Sequence, residues 1–212
     1  MRLGLLNYVA KDTNPNLPED RELELNFFDL DKAVQDLKDL YGRTNIRIVL
    51  LHWGLEYFRI PTPDQQRIAK ILSKNGANFI ICHHAHIVQP VVRYNHSLIA
   101  YSLGNFLFPN IYFGGRLYRE WSSSNRKSII VDVTVQKNGY YNYNLHSTNY
   151  TGESLYLSTN YKIQSNGITN AMMKIFSVDI LWEFYYSLSR SIKIISNYFR
   201  FFNHALSKRL RR

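Results

Sequence analysis

The sequence predicts an α/β fold that contains a βαβ unit and continues into a hairpin and a helical tail. Two apolar runs, residues 46–51 and 78–82, have the composition of buried strands, and a helical pattern lies between them. Residues 128–135 and 140–146 alternate in polarity across a glycine-containing turn, which indicates a β-hairpin. From residue 170 onward, apolar residues recur every three or four positions, as in one long amphipathic helix or two shorter ones.

A strand, a loop and a helix are predicted before the βαβ unit. Residues 1–8 are predicted to form a strand, and residues 11–24 to form a long polar loop with two prolines. Asp29 is a suitable N-cap for a helix that ends at Gly42. The helix has one apolar face, which indicates core packing: Leu30, Ala33, Val34, Leu37 and Leu40.

The helix of the βαβ unit has both a start and a stop signal. Thr62 is followed by Pro63 and then by Gln65, the spacing of a capping box, and Asn75-Gly76 ends the helix. Its predicted buried stripe is Ile68, Ala69 and Leu72. A connection of this kind joins parallel strands, so we expect the flanking strands to end at the same edge of the sheet.

The chain is long enough for one domain and an appendage. A further strand is predicted at residues 97–102, and residues 114–127, rich in glycine and serine, are predicted to form a polar loop. We therefore assign residues 1–160 to the α/β domain and residues 161–212 to a basic, aromatic, amphipathic helical tail. A single cysteine, Cys82, excludes an intrachain disulfide, and its apolar surroundings favour a buried thiol over a nucleophile.

The tail carries most of the net charge of +10, with nine Lys or Arg residues against two acids. Packing on the domain or on a partner is one interpretation of this tail. Attachment to an anionic membrane surface or a membrane protein through the basic end, residues 208–212, is the other. We identify no nucleic-acid-binding motif, signal peptide or membrane span, so a cytoplasmic or peripheral membrane location is expected.

Two histidine clusters directly follow predicted strands. His52 lies at the end of the first predicted strand, and His83, His84 and His86 lie just after the second. Ligands of parallel α/β sheets collect beyond the carboxyl ends of the strands. In an extended segment His84 and His86 share a face, whereas His83 points away or is displaced by a turn. The pattern favours metal binding, with structural histidines as the alternative.

Imidazole is a common ligand of Zn²⁺, Mn²⁺ and Fe, and such an ion can polarise a phosphoryl oxygen and activate water. Two ions roughly 4 Å apart can stabilise both the attacking and the leaving oxygen. A two-metal site also requires carboxylates, because neutral imidazoles do not offset the charge of two dications. The expected cofactor is therefore one or two divalent ions of these metals.

Several motifs in order resemble one known family. They are His52-Trp53-Gly54-Leu55-Glu56-Tyr57, residues 63–66, Gly76-Ala77, Cys82-His83-His84-Ala85-His86 with Val88-Gln89-Pro90, and Tyr101-Ser102-Leu103-Gly104-Asn105-Phe106. Together they resemble the bacterial capsule synthesis proteins of the CapA type, over about residues 1–135. That family is associated with poly-γ-glutamate and polysaccharide capsules. The resemblance implies a calcineurin-like metallophosphoesterase fold, an α/β sandwich of which this chain is expected to form the C-terminal half.

The resemblance also implies roles for individual residues. His52 and His84 would bind one metal and His86 the other. His83, Glu56 and Asn105 are the remaining candidate catalytic residues, which would support the ligands, face the substrate or be structural.

The chain departs from the family pattern in two ways. Cys82 and Ala85 stand where the family usually has glycine and proline. Family members also carry an upstream Asp-bearing strand, a Gly-Asp turn and an Asn-Asn-His segment, which supply carboxylates that this sequence lacks. A fragment is therefore one interpretation of this chain, in which the histidines hold one weak Zn²⁺ and apolar strand edges are exposed unless a partner or the C-terminal helix covers them.

Two functions follow from these observations. The first is metal-assisted hydrolysis or transfer at a phosphoester or polymer linkage during capsule or extracellular polymer biosynthesis. The second is a non-catalytic domain that binds capsule polymer or an assembly partner at the membrane surface. Whether the chain is an enzyme therefore depends on whether the missing ligands are supplied.

Overall fold

The chain is centred on a five-stranded sheet. This computed structural model describes residues 1–13, 24–137, 139–158 and 167–192. The elements of the sheet and its connections are β1 (Leu3–Val9), a short 3-10 helix (Lys11–Thr13), α1 (Leu30–Leu40), β2 (Ile46–His52), α2 (Pro63–Lys74), β3 (Phe79–His83), β4 (Val91–Tyr94) and β5 (Ser97–Ala100). The strand order is β1-β2-β3-β5-β4.

The prediction of parallel strands joined by helices is confirmed. β1 pairs with β2, β2 with β3 and β3 with β5, all in parallel, and α1 and α2 connect the first three strands. The register places His52 directly beside His83. Both histidine clusters therefore begin at the same edge of the sheet, where parallel sheets collect their ligands.

β4 is a strand that the sequence analysis did not predict. It runs antiparallel to β5 at the outer edge of the sheet, and Asn95 and His96 connect the two strands. Asn95 has a φ of 50°, a left-handed conformation that asparagine adopts more readily than most residues. Periodicity alone does not reveal so short an apolar run as a strand.

Both predicted helices form with their predicted caps. Asp29 accepts a hydrogen bond from the Lys32 amide at the start of α1, and Gly42, with a φ of 79°, lies just beyond its end. Thr62 and Gln65 make both hydrogen bonds of the capping box at the start of α2. The side chains that anchor the two helices in one buried cluster are Ala33, Leu37, Ala69 and Leu72.

A second sheet packs on the other side of the main sheet. The remaining strands are β6 (Ile111–Phe113), β7 (Arg116–Arg119), β8 (Lys127–Val135), β9 (Tyr141–Tyr150) and β10 (Leu155–Ser158). β8 and β9 form the predicted hairpin, which β10 extends into a three-stranded antiparallel sheet. Ile129 and Tyr141 pack against Ile46, Phe79 and Leu98 of the main sheet. The result is an α/β sandwich, as the resemblance implies.

An apolar groove of about 700 Å³ lies between β1–β3 and β8. Leu3, Ile48 and Ile81 line it from the main sheet, and Val131 and Val133 line it from β8. Within the described residues, β1 and β8 each pair with only one neighbouring strand. The expectation of exposed apolar strand edges therefore agrees with the structure.

The described part of the tail forms two helices. α3 spans Gly167–Ile175, and α4 spans residues 179–192. Trp182 is buried, and with Tyr185 and Tyr186 it packs around Phe58 of the α/β domain. The residues of the predicted apolar stripe that lie on α4 are instead mostly exposed: Ile180, Phe184, Leu188 and Ile192. The helix therefore packs on the domain through an aromatic face that does not coincide with the predicted apolar stripe.

Several predicted features lie wholly or partly outside the described residues. These are most of the polar loop at residues 11–24, the domain boundary after residue 160 and the basic end at residues 208–212. Among the helices that the structure describes, none has the length and apolar character needed to cross a membrane.

Tyr8 and Asp36 tie β1 to α1 through a hydrogen bond of 2.6 Å from the phenol to Oδ2 of the carboxylate. This bond, supported by Lys32, holds the pKa of Asp36 below its ordinary value. We expect Tyr8→Phe to lower the free energy of unfolding by about 1–2 kcal/mol at neutral pH. Because the folded pKa of Asp36 is depressed, its contribution is present above the unfolded pKa and is lost as the pH falls through the folded value.

Urea denaturation of the wild type and Tyr8→Phe at about pH 7 and about pH 3 measures this effect. The difference in the free energy of unfolding between the wild type and Tyr8→Phe should be smaller at the lower pH. Tyr156→Phe, a change at an exposed tyrosine on β10, is the control. A difference that stays constant with pH would show that lost packing, and not the bond to the carboxylate, accounts for the effect.

Candidate metal centre

Two backbone hydrogen bonds join the loops that follow β2 and β3. The Trp53 amide donates to the carbonyl of His83 at 3.2 Å, and the Tyr57 amide donates to the carbonyl of Ala85 at 2.7 Å. Because Glu56 directly precedes Tyr57, the second bond holds its carboxylate beside the histidine cluster. The loop after β2 thus contributes an acid to the edge of the sheet.

The histidine segment is not extended, so the shared face that an extended segment would give His84 and His86 does not apply. His84 and His86 have φ values of 101° and 56°, and Tyr57 opposite them has a φ of 68°. Non-glycine residues rarely adopt positive φ, and such residues often cluster at functional sites. The two imidazoles therefore meet through a sequence of tight bends and not through the alternation of a strand.

Glu56, His84 and His86 form a triad of candidate metal ligands. One ligand atom from each lies within 4.8 Å of the others. Nε2 of His86 is 3.9 Å from Oε1 of Glu56. Two ligand atoms on a tetrahedral Zn²⁺, each about 2.1 Å from the ion, lie about 3.4 Å apart. The ligand atoms therefore need to close by up to about 1.4 Å to share an ion.

His86 is oriented by two asparagines. Its Nδ1 lies 2.9 Å from Oδ1 of Asn105, while Nδ2 of Asn125 donates to the His86 carbonyl at 2.9 Å. Asn105 in turn donates to the Asn125 carbonyl at 2.9 Å. An Nδ1–H that donates to Asn105 leaves the Nε2 lone pair directed toward Glu56. This is the arrangement by which proteins fix the tautomer of a metal-binding histidine.

His52 lies on the other side of His84. Its Nε2 is 3.1 Å from Nδ1 of His84. Burial lowers the pKa of His52, and the neighbouring His84 lowers it further. Burial also lowers the pKa of His84, against the opposing charges of Glu56 and Asp12. Both rings therefore favour the neutral form, which is the form that binds metals.

His83 does not join the triad. It lines the apolar groove, with its ring 5.6 Å from that of His52, and burial lowers its pKa. The structure thus brings His52, His84 and His86 together with Glu56 and Asn105, and directs His83 elsewhere. Cys82 is fully buried, and burial raises the pKa of its thiol to about 12, which agrees with an inert role.

The donors suit a divalent cation. Two imidazole nitrogens and one carboxylate oxygen are typical ligands of Zn²⁺, Mn²⁺ and Fe²⁺, and three protein ligands leave coordination positions for water or substrate. Asn105 already holds one of the rings in place. The residues that are present therefore fit one such ion, with His52 adjacent to it.

Three aromatic side chains and one arginine, none of them predicted as site residues, lie beside the triad. The rings of Tyr57, Phe108 and Trp121 lie 5.5–6.0 Å from that of His86. Arg119 extends from the β6–β7 hairpin to within 4.0 Å of Glu56. The sequence predicts a polar loop where part of this hairpin lies. The Gly114-Gly115 pair between two aromatic stretches is nevertheless a recognisable turn signal.

Comparison with known proteins identifies matches to this region. Residues 2–110 match the family described as "Bacterial capsule synthesis protein PGA_cap". The matched range includes Glu56, His84, His86 and Asn105 and ends before Arg119.

Two curated relatives extend the comparison. The chain is 33% identical to the PGA biosynthesis protein CapA of Bacillus subtilis (strain 168) over 133 residues, which cover 62% of this chain and 30% of the relative. It is 40% identical to the capsule biosynthesis protein CapA of Bacillus anthracis over 78 residues, which cover 36% of this chain and 19% of the relative. The chain thus spans less than a third of the length of either relative.

Proposed function

The chain belongs to the bacterial capsule synthesis protein family, and from that membership we propose that it takes part in metal-assisted hydrolysis or transfer at a phosphoester or polymer linkage. The proposed substrate is a capsule polymer or a phosphoester precursor of one. The observation that carries the proposal is the Glu56–His84–His86 triad at the carboxyl edge of a parallel sheet.

Each residue of the proposed centre has a distinct task. His84 and His86 offer imidazole nitrogens, and Glu56 supplies the negative charge that a dication requires. Asn105 holds His86 in one tautomer, and His52 accepts or donates a proton at Nδ1 of His84. A bound ion would supply Lewis-acid polarisation of a substrate oxygen and a lowered pKa for bound water. His83 remains a candidate for substrate contact from the side of the groove.

A second candidate function is a binding domain without catalysis. Glu56 is the single acid in the only cluster of three or more potential ligands that the described residues contain. Two bridged metals need more negative charge than one carboxylate provides. In this alternative the domain binds capsule polymer or an assembly partner, and the triad holds one ion for structural reasons.

Zinc titration of the purified protein tests the proposed centre. We expect about one Zn²⁺ per chain, and we expect His86→Ala and Glu56→Gln each to weaken binding by about 100-fold or more, since each removes a direct ligand. His96→Ala, at an exposed histidine between β4 and β5, is the matched control and should bind as the wild type does. Wild type that binds no Zn²⁺, Mn²⁺ or Fe²⁺ would contradict the proposal.

The same proteins distinguish the two candidate functions. The metal-loaded wild type should hydrolyse a chromogenic phosphodiester, and His86→Ala should not. A wild type that binds metal without hydrolysing such an ester would instead support the binding domain. Attachment of the basic end to an anionic membrane surface or membrane protein stays a prediction, because residues 208–212 lie beyond the described range.

A further inference from the structure

Arg119 is placed beside the proposed metal centre by a hairpin that the family match does not include. Its Nη2 lies 4.0 Å from Oε2 of Glu56 and donates a hydrogen bond to the Tyr57 phenol oxygen. The other carboxylate oxygen of Glu56 faces His86. One carboxylate therefore lies between a candidate metal ligand and a guanidinium.

Two aromatic rings hold the guanidinium of Arg119 in position. It stacks over the ring of Trp121 at 4.3 Å from the centroid, and the Tyr57 ring lies 5.8 Å away. Such stacking orients an arginine while leaving the edges of its planar fork available for hydrogen bonds. Burial and a hydrogen bond with Glu56 raise the pKa of Tyr57 to about 12, so its phenol stays neutral beside the cation.

The platform under Arg119 is itself fixed. Trp121 is buried, and its Nε1 donates to the Pro109 carbonyl at 3.2 Å. Arg126 donates to Asn110 Oδ1 at 2.8 Å and to the Trp121 carbonyl at 3.1 Å, which ties both ends of the hairpin together. Arg119 thus stacks on a tryptophan that hydrogen bonds hold from both ends of the hairpin.

Most of the hydrogen-bonding capacity of Arg119 is unused. Within the described residues its guanidinium, which has five N–H donors, donates to Tyr57 alone, and its side chain is 43% exposed. At 4.0 Å, the contact with Glu56 is an ion pair without a close hydrogen bond. A metal ion bound to Glu56 would share the charge of its carboxylate and weaken this pairing, which would leave the remaining guanidinium donors available to a ligand.

We propose that Arg119 is an oxyanion-binding residue, whose guanidinium holds a phosphoryl or carboxylate group of the substrate beside an ion bound by Glu56, His84 and His86. This inference rests on the proposed function and adds the chemical class that the centre selects. Planar, bidentate recognition of phosphate or carboxylate is the task for which arginine is best suited. A neutral sugar hydroxyl gains far less from the same guanidinium.

Calorimetric titration of inorganic phosphate, and separately of glutarate, into the zinc-loaded protein tests the proposal. We expect Arg119→Gln to weaken binding of the preferred anion by about 10- to 100-fold, as for a lost charge-assisted hydrogen bond. The anion affinity of Arg119→Lys should lie between those of the wild type and Arg119→Gln, since lysine keeps the charge and loses the planar fork. The anion that shows the larger dependence on Arg119 identifies the group as phosphoryl or carboxylate.

Arg116→Gln is the matched control. Arg116 is exposed at the start of β7, beside the Gly114-Gly115 turn, whereas Arg119 lies at the other end of the strand. The Arg116→Gln variant should bind both anions with the affinity of the wild type. Zinc affinity, measured in the same preparations, should be unchanged or slightly higher in Arg119→Gln, because the guanidinium no longer competes for Glu56.

The outcomes separate the two proposals. Zinc binding with equal anion affinity in the wild type and Arg119→Gln overturns the role of Arg119 and leaves the metal centre standing. An equal loss in Arg116→Gln also overturns it, because the effect would then reflect overall charge. Failure of the wild type to bind any of the candidate metals overturns the proposed function, and the inference falls with it.

Discussion

Replacing Gly104 with alanine is expected to destabilise the fold by about 3–5 kcal/mol, a large part of the 5–15 kcal/mol that typically stabilises a domain. A Cβ at this position would lie 2.4 Å from the backbone oxygen of Lys127 and 2.9 Å from Val88. The φ of Gly104 is also 77°, which costs an alanine roughly 1–2 kcal/mol. Neither the strain nor the clash is relieved by rotating a side chain, because the nearest atom belongs to the backbone.

The clash falls where the two sheets meet. Gly104 forms an isolated bridge with Ser128 of β8, and the Ile129 amide donates to the Leu103 carbonyl at 2.9 Å. A displaced β8 would disturb the packing between the sheets. It would also move Asn105, the next residue, away from His86. The change is therefore expected to weaken zinc binding as well as stability.

Gly42→Ala provides a control with the same backbone strain and no clash. Gly42 has a φ of 79°, and a Cβ there meets no atom within 4 Å. Urea denaturation should show a loss of about 1–2 kcal/mol for this variant, well below that of Gly104→Ala. Equal losses in the two variants would mean that β8 moves aside at little cost, and that the junction is less rigid than its contacts indicate.

Local signals predict much of this fold. The caps at Asp29 and Thr62 and the stop at Gly42 act within a few residues of their positions, so the sequence alone predicts both helices. The parallel arrangement follows from the strand–helix–strand order, which places His52 and His83 at the same edge. These features depend little on the rest of the chain.

The centre itself depends on contacts that are distant in sequence. Glu56 reaches the histidines because Tyr57 hydrogen bonds to Ala85, and His84 and His86 meet through positive φ values that no periodicity encodes. The resemblance to a family implies metal-binding roles for His52, His84 and His86 and divides them between two metals. The structure instead groups Glu56 with His84 and His86 and places His52 against His84.

Arg119 shows why the remaining part could not be predicted. β6 and β7 are fully exposed short strands, and no buried alternation marks them in the sequence. What brings Arg119 to Glu56 is the anchoring of Trp121 by Arg126 and Pro109, interactions between a side chain and carbonyls that leave no pattern. Irregular segments held over a regular sheet commonly carry functional residues for this reason.

Replacing Asn105 with leucine is expected to lower zinc affinity by about 10- to 100-fold, the usual effect of removing a group that orients a metal-binding histidine. Asn105 is 3% exposed and has two separable roles. Its Oδ1 contacts Nδ1 of His86, and its Nδ2 donates to the Asn125 carbonyl. Leucine removes both, whereas Asn105→Asp keeps an oxygen for Nδ1–H, loses the donor and adds a buried negative charge.

The comparison of these two variants isolates the orienting oxygen. Both leave the Asn125 carbonyl without its donor, which costs about 1–3 kcal/mol of stability in each variant, and Asn105→Asp also carries the cost of a buried charge. Their zinc affinities should differ, with Asn105→Asp staying within a few-fold of the wild type, because a carboxylate acceptor also raises the basicity of a coordinating imidazole. Competition with a coloured chelator measures both affinities on folded protein. If Asn105→Leu binds zinc as tightly as Asn105→Asp, the tautomer of His86 is set by another group, and Asn105 serves only to close the loop.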